Sequence, residues 1–255
     1  MPYPQDLLGK YINYTVDPGG TMNAGYAAAF VNGLLPGQTS GATAQVYAPP
    51  APVMGGHGVP VAPPPLIQHR VNPNAINVVN TNLPWIFTFL KYIGGAVTTA
   101  SLATPILTGP MSGCFLCKYN QGAQSLAHIG TANAPDSQES RDVKTAWLGF
   151  VGRADVTAVS GGNPFDYITD AEFQAAMIGG QLPVLCGYFD GASAYAILFS
   201  PLPQNMNPPG LNLMKVAAVK RMNLQPWATL AALAKFSSER IPNPNPYDPT
   251  IIRLS

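Results

Sequence analysis

The sequence predicts an α+β fold in which strands dominate. Three observations carry the prediction. Glycine and proline number 25 and 27 in 255 residues, which suits strands, turns and long irregular connections better than a helical bundle. From about residue 66 onward, runs rich in β-branched and aromatic residues alternate with turn signals. Only a few segments carry a helical pattern with recognisable caps. A chain of this length makes one large domain or two small ones and buries a core without needing disulfides or metals.

Taken in order, "TMNAGYAAAFVNGLL" (21–35) reads as a short helix with Thr21 as N-cap and Gly33 near its end. Residues 48–65, "APPAPVMGGHGVPVAPPP", have a proline density that favours polyproline II and forbids a central strand. Residues 1–65 are therefore read as an N-terminal Pro/Gly-rich arm or segment, and 66–255 as the main domain. Strands are expected at "INVVN" (76–80), "WIFTFLKYI" (85–93) and "GAVTTASLATPIL" (95–107). "CFLCKY" (114–119) and "SLAHIGT" (125–131) flank the loop "NQGAQ" as a hairpin. "VKTAWLGFV" (143–151) is ambiguous between helix and strand. "DAEFQAAMIGG" (170–180) reads as a helix capped by Thr169 or Asp170 and stopped at Gly179-Gly180. "LPVLCGYF" and "SAYAILFS" flank Asp190-Gly191, the best short hairpin signal in the chain. "LNLMKVAAVKRMN" (211–223) is one more strand, and "PWATLAALAKFSSER" (226–240) has helical propensity behind its proline.

Composition excludes several classes. Charged residues are 10% of the chain and the net charge is +1, against roughly 25% charged in an ordinary soluble domain. A nucleic-acid partner is not expected, because phosphate binding needs clustered Lys and Arg. After Asp6 and Asp17 no acidic residue appears until Asp136, so the first half holds no carboxylate-rich calcium loop and no carboxylate pair for glycosidase chemistry. The start, MPYPQDLLGK, lacks the basic and apolar run of a cleavable signal peptide. The apolar stretch from Leu83 to Leu107 is interrupted by Pro84, Lys91, Gly94, Gly95 and Pro105 and reads as buried strands, with no membrane span. Three cysteines do not make a disulfide framework.

The segment "GPMSGCFLCKYNQGAQSLAHIGT" (109–131) holds two of those cysteines and one of the three histidines. If Tyr119 faces Ser125 in the hairpin, Leu116 faces His128, and Cys114 lies one step diagonal to His128 on the same face. Such neighbours are roughly 7–8 Å apart at Cα, close enough for side chains to meet. A register two residues tighter sets the pair directly opposite; a slip of one residue sends them to opposite faces. The same alternation puts Cys117 on the other face from Cys114, which argues against a zinc or redox Cys-x-x-Cys.

A thiol becomes a useful nucleophile as a thiolate, and an adjacent imidazole takes its proton. Ser112 and Gly113 are small residues just before Cys114, suited to bringing backbone N–H groups close to a substrate carbonyl as an oxyanion hole. The plainer reading makes Cys114 and His128 packing residues of a strand pair.

The arrangement resembles the cysteine-dependent glutamine deamidase toxins, the catalytic domain of cytotoxic necrotizing factor and the Burkholderia lethal factor. Their motif is Leu-Ser-Gly-Cys with a histidine a dozen or so residues later. Here it is "MSGC" (111–114), with Met111 in place of leucine and His128 fourteen positions after Cys114. Thr108 stands six residues before the cysteine, where the lethal factor has the third member of its triad. The match spans Thr108 to Thr131. It implies a β-sandwich of mixed sheets surrounded by helices and long loops. It implies hydrolysis of a glutamine side-chain amide by Cys114 and His128, with Thr108 orienting the imidazole and no metal or organic cofactor. It also implies a bacterial toxin or effector, a secreted virulence hydrolase. Such a protein is made in the bacterial cytoplasm and delivered to the host cytosol. Its partner there is a host protein such as a small GTPase or a translation factor. With an amine in place of water the same site acts as a transglutaminase.

Two other functions compete: a different Cys-His hydrolase, such as a peptidase or amidase, and a non-enzymatic protein-binding module. A papain-like cysteine opens a helix far in sequence from its histidine, unlike this hairpin spacing. His57 and His69 are expected at the surface or in turns, and Cys186 in the core. Trp85, Trp147 and Trp227 are expected in the core. Tyr119, Asn120 and Gln121 are candidates to line a substrate entrance.

Overall fold

The computed structural model describes residues 3–13, 35–36, 39–51, 53–54, 60–61, 74–111, 113–131 and 137–227. In chain order the first strands are β1 (Tyr11–Asn13), β2 (Leu35–Pro36), β3 (Thr39–Ala48), β4 (Val53–Met54), β5 (Pro60–Val61) and β6 (Val79–Asn80). The central ones are β7 (Trp85–Lys91), β8 (Ala96–Ser101), β9 (Ile106–Gly109), β10 (Phe115–Gln121) and β11 (Ala123–Gly130). After the helix Gln138–Val151 come β12 (Thr157–Gly162), the helix Asp170–Ala175, β13 (Val184–Phe189), β14 (Ala194–Pro201), β15 (Leu213–Arg221) and β16 (Gln225–Pro226). The fold is a strand-dominated α+β arrangement.

A plain sandwich is not what the strands build. One sheet runs β1-β15-β14-β13-β9-β7-β3, and β1 pairs back onto β3, closing a seven-stranded barrel with β6 continuing beside β3. A ring of seven strands cannot be antiparallel at every seam, because each antiparallel step reverses direction and the circuit must return to its start. The required parallel seam is β7 against β9. Two staves, β1 and β3, come from before residue 66, so the expected boundary at 65/66 puts part of the barrel on the arm side. A second, six-stranded sheet, β16-β12-β10-β11-β8-β2, lies against the barrel.

Alternation of side chains sorts the core into three layers. Leu7, Ile12, Trp85, Phe87, Leu107, Tyr188, Ile197 and Val216 fill the barrel interior. Leu90, Ile106, Leu185, Leu198 and Ala218 on its outside meet Cys114, Leu116 and Leu126 of the second sheet. The far face of that sheet, with Phe115, Cys117, Ala127 and Ile129, is covered by Val143 and Trp147 of the helix Gln138–Val151. Strands β13 and β14 are thus buried on both faces, the reason they read as continuous apolar runs.

The ambiguous 143–151 segment is helical. Ser140, Val143, Lys144 and Trp147 are its buried residues, at helical spacing, and the Ser137 hydroxyl accepts from the Ser140 N–H at 3.2 Å as an N-cap. The shorter helix starts in a capping box: Thr169 Oγ1 accepts from the Glu172 N–H at 3.2 Å, and Glu172 Oε2 accepts from the Thr169 N–H at 3.0 Å. It ends at Ala175, before the expected stop; Gly179 and Gly180, at φ 57° and 76°, make a separate turn. The expected strand at 76–80 is confined to Val79–Asn80, and the 95–107 run breaks into β8 and β9. Of the expected helices 21–35 and 226–240, residues 21–34 and 228–240 lie outside the described residues, as do His57 and His69, while Leu35 and Pro226 belong to the short strands β2 and β16. Among the described residues no helix is long and apolar enough to cross a membrane.

Candidate active site

The hairpin β10–β11 sets the geometry. Tyr119 pairs with Ser125 and Leu116 with His128, so Cys114, immediately before β10, lies one step diagonal to His128. Cys114 and Leu116 face the barrel, whereas Cys117 faces the helix Gln138–Val151. The two cysteines therefore cannot share a ligand, and among the described residues no group of three His, Cys, Asp or Glu side chains is placed to hold a metal. Gly113, just before Cys114, has φ 106°, a conformation glycine adopts readily and residues with a Cβ avoid. Ser112 lies outside the described residues.

Thr108 is on β9, in the barrel, and its side chain points outward to the second sheet. Its Oγ1 lies 2.7 Å from His128 Nδ1 and 2.8 Å from the Leu90 carbonyl oxygen. A carbonyl only accepts, so the single hydroxyl proton goes to Leu90 and Thr108 accepts from His128 Nδ1–H. That assignment leaves Nε2 as the nitrogen with a lone pair. Nε2 is buried and has no hydrogen-bond partner among the described residues. Burial holds the imidazole neutral, with its pKa pushed down to about 3 from 6.5.

What lets a residue of the barrel reach a residue of the other sheet is a missing side chain. Gly187 on β13 is the cross-strand partner of Thr108, and Leu116 is the cross-strand partner of His128. The Leu116 side chain sits where a Cβ on Gly187 would be, so the layers close up beside the Thr108–His128 bond. No pattern in the sequence flags Gly187, because its role lies in a contact between strands about 70 residues apart.

Tyr92 completes the surroundings. Its ring lies 5.3 Å from the His128 ring, and its hydroxyl donates to the Thr131 carbonyl at 2.6 Å. Burial raises the Tyr92 pKa, and the nearness of Cys114 adds to the rise. Thr131 Oγ1 is 3.9 Å from Cys114 Sγ. Cys114, His128 and Thr108 are 0%, 1% and 0% exposed. Tyr92 is half-buried, with its ring packed against the imidazole.

The other candidates sort plainly. Cys186 packs inside the barrel, where burial pushes its thiol pKa up to about 12, and burial also raises that of Cys117. Trp85, Trp147 and Trp227 are core residues. Tyr119 does not line an entrance: it is buried on the outer face, edge-on to Trp147 and Phe150. Gln121 is exposed and donates to Asp155 Oδ2 at 2.8 Å. No family model, no curated protein and no solved structure matches this chain. The likeness to the deamidase toxins thus rests on Thr108, the 111–114 motif and His128.

Proposed function

We propose that the protein is a cysteine-dependent glutamine deamidase that hydrolyses the side-chain amide of a protein substrate. The observation that carries the reading is the chain Leu90 carbonyl, Thr108 hydroxyl, His128 Nδ1. It leaves the lone pair on Nε2, the tautomer a general base needs. The Cys114 thiol must first come within reach of His128 Nε2, which has no hydrogen-bond partner among the described residues of the resting site; Sγ then bonds to the amide carbon as its proton passes to Nε2. The carbon–nitrogen bond then breaks, and the imidazolium gives that proton to the departing ammonia. Water attacks the thioester with His128 again taking a proton, and glutamate leaves as the Cys114 thiol is restored. The developing oxyanion faces the turn at Gly113, where the Cys114 N–H is the nearest donor in sequence. Cys114 opens a strand and no helix, which favours this scheme over a papain-like peptidase. Following the resemblance, the substrate is a host protein and the chain an effector.

The test is peptide mass spectrometry of a host-cell lysate incubated with the protein, beside a Cys114→Ser control. A gain of about one mass unit on one glutamine, absent from the control, supports deamidation and names the substrate. The complete burial of Cys114 favours a second reading, in which thiol and imidazole are packing residues of a binding module. In that case iodoacetamide labels Cys114 as slowly as Cys117 and Cys186, whereas a reactive Cys114 is labelled far sooner.

A further inference from the structure

At the other end of the same seam between barrel and second sheet is a cleft of about 330 Å³. Lys118 belongs to the inward-facing row of Cys114 and Leu116, four residues and roughly 13 Å along the strand from Cys114. Its cross-strand partner on β12 is Ser160, which also lines the cleft. Arg221, at the end of β15, and Ser193 and Asn223 supply the remaining polar lining. Buried Ala194 and Met222 form an apolar floor.

In a chain where charges are scarce, two cations share this cleft and no carboxylate lines it. Among the described residues neither Lys118 nor Arg221 has a carboxylate within ion-pair distance. One Lys118 N–H goes to the Gly191 carbonyl, leaving two donors. Asp190, the acid whose charge Lys118 feels, uses Oδ1 to accept from the Ser193 N–H at 2.7 Å within its own turn. Partial burial lowers the Lys118 pKa, and the Asp190 charge offsets only part of that. A partly desolvated ammonium and a guanidinium that line one cleft are both stabilised by an anion bound in it.

We propose that this cleft binds a small organic anion, its phosphate or carboxylate head held by Lys118, Arg221, Ser160 and Ser193 and its apolar body on Met222 and Ala194. The volume lies at the lower end of small-molecule sites. The proposal does not depend on Cys114 chemistry.

The experiment is a titration of the full chain with inorganic phosphate, and separately with acetate, read by NMR at the amides of Gly191, Ser193 and Asn223. Sodium chloride of matched ionic strength is the control. Saturating shifts are expected in the wild-type chain, with affinity at least tenfold weaker in Lys118→Gln/Arg221→Gln. Both replaced side chains reach solvent, and an unchanged spectrum elsewhere shows that the fold is kept. Saturation by phosphate alone assigns a phosphoryl head; saturation by both assigns recognition of oxyanions in general. No saturation with either, shifts equal to those from chloride, or equal affinity in the double variant overturns the proposal. Cys114→Ser should bind as wild type, which separates this site from the deamidase reading.

Discussion

Thr108 has one hydroxyl proton, and the Leu90 carbonyl takes it. Replacing Thr108 with valine keeps the shape and removes the relay. His128 Nδ1–H is then buried without its partner, at a cost of about 1–3 kcal/mol. The ring is also free to change tautomer, so deamidation should slow about 100-fold, while Thr108→Ser restores most of the rate. Urea unfolding and product formation measure the two effects separately. His128 adds a pH signature. Its folded pKa, near 3, lies below the ordinary 6.5 because burial excludes the charge. Between those values the unfolded chain holds a proton that the folded chain does not. The contribution is complete above about pH 6.5 and is lost as pH falls toward 3, by at most about 1.4 kcal/mol per pH unit. Unfolding midpoints of wild type and His128→Gln across that range should differ in slope by up to one proton. The juxtaposition of Cys114 and His128 was legible because a hairpin's register follows from its alternation, whereas Thr108, on a strand of the other sheet, was reached only through the resemblance. Leu90 and Tyr92 were not legible: one acts through a carbonyl, the other through a ring that arrives by tertiary packing from β7 and the turn after it.

The hairpin β10–β11 and the strand pair β9–β13 meet through Gly187 and Leu116. Adding a methyl group at Gly187 drives Leu116 away from the barrel and stretches the Thr108–His128 bond beside it. Gly187→Ala should cost about 1–3 kcal/mol by overpacking and lower activity with it. Leu116→Ala leaves a cavity at the same place, so in the pair of substitutions the costs should fall short of their sum, which a double-mutant cycle measures. If the two costs simply add, the socket does not couple the layers. Elements that carry their own signal were readable in advance. The cap signal at Thr169 or Asp170 placed one helix start to within a residue, and Asp190-Gly191 marked the turn between β13 and β14. The helix Gln138–Val151 stayed ambiguous because a nine-residue window left out Ser137 and Ser140, which hold its first turn.

Barrel closure belongs to the whole molecule and has no local signature. Alternation along a strand tells which residues share a face, but an interior face looks the same in an open sheet and in a closed ring. The short β1 makes the difference, since Ile12 pairs with Met214 on one side and Val46 on the other. A chain beginning at residue 15 loses that stave together with Leu7 and Ile12, both fully buried. Their burial alone is worth about 3–6 kcal/mol at roughly 1.5–3 kcal/mol each. Two strand edges, β3 and β15, also lose their partner. Set against a total stability of about 5–15 kcal/mol, this deletion should abolish cooperative unfolding or lower its midpoint sharply. Removal of a dispensable arm would leave the urea curve of the remaining chain where it was. The candidate site makes the distinction functional. Thr108 sits on a barrel stave and reaches outward to His128, so its position depends on the ring staying closed. A truncated chain that retained full stability but lost deamidation would place the N-terminal stave's role at the site, whereas loss of both together follows from closure.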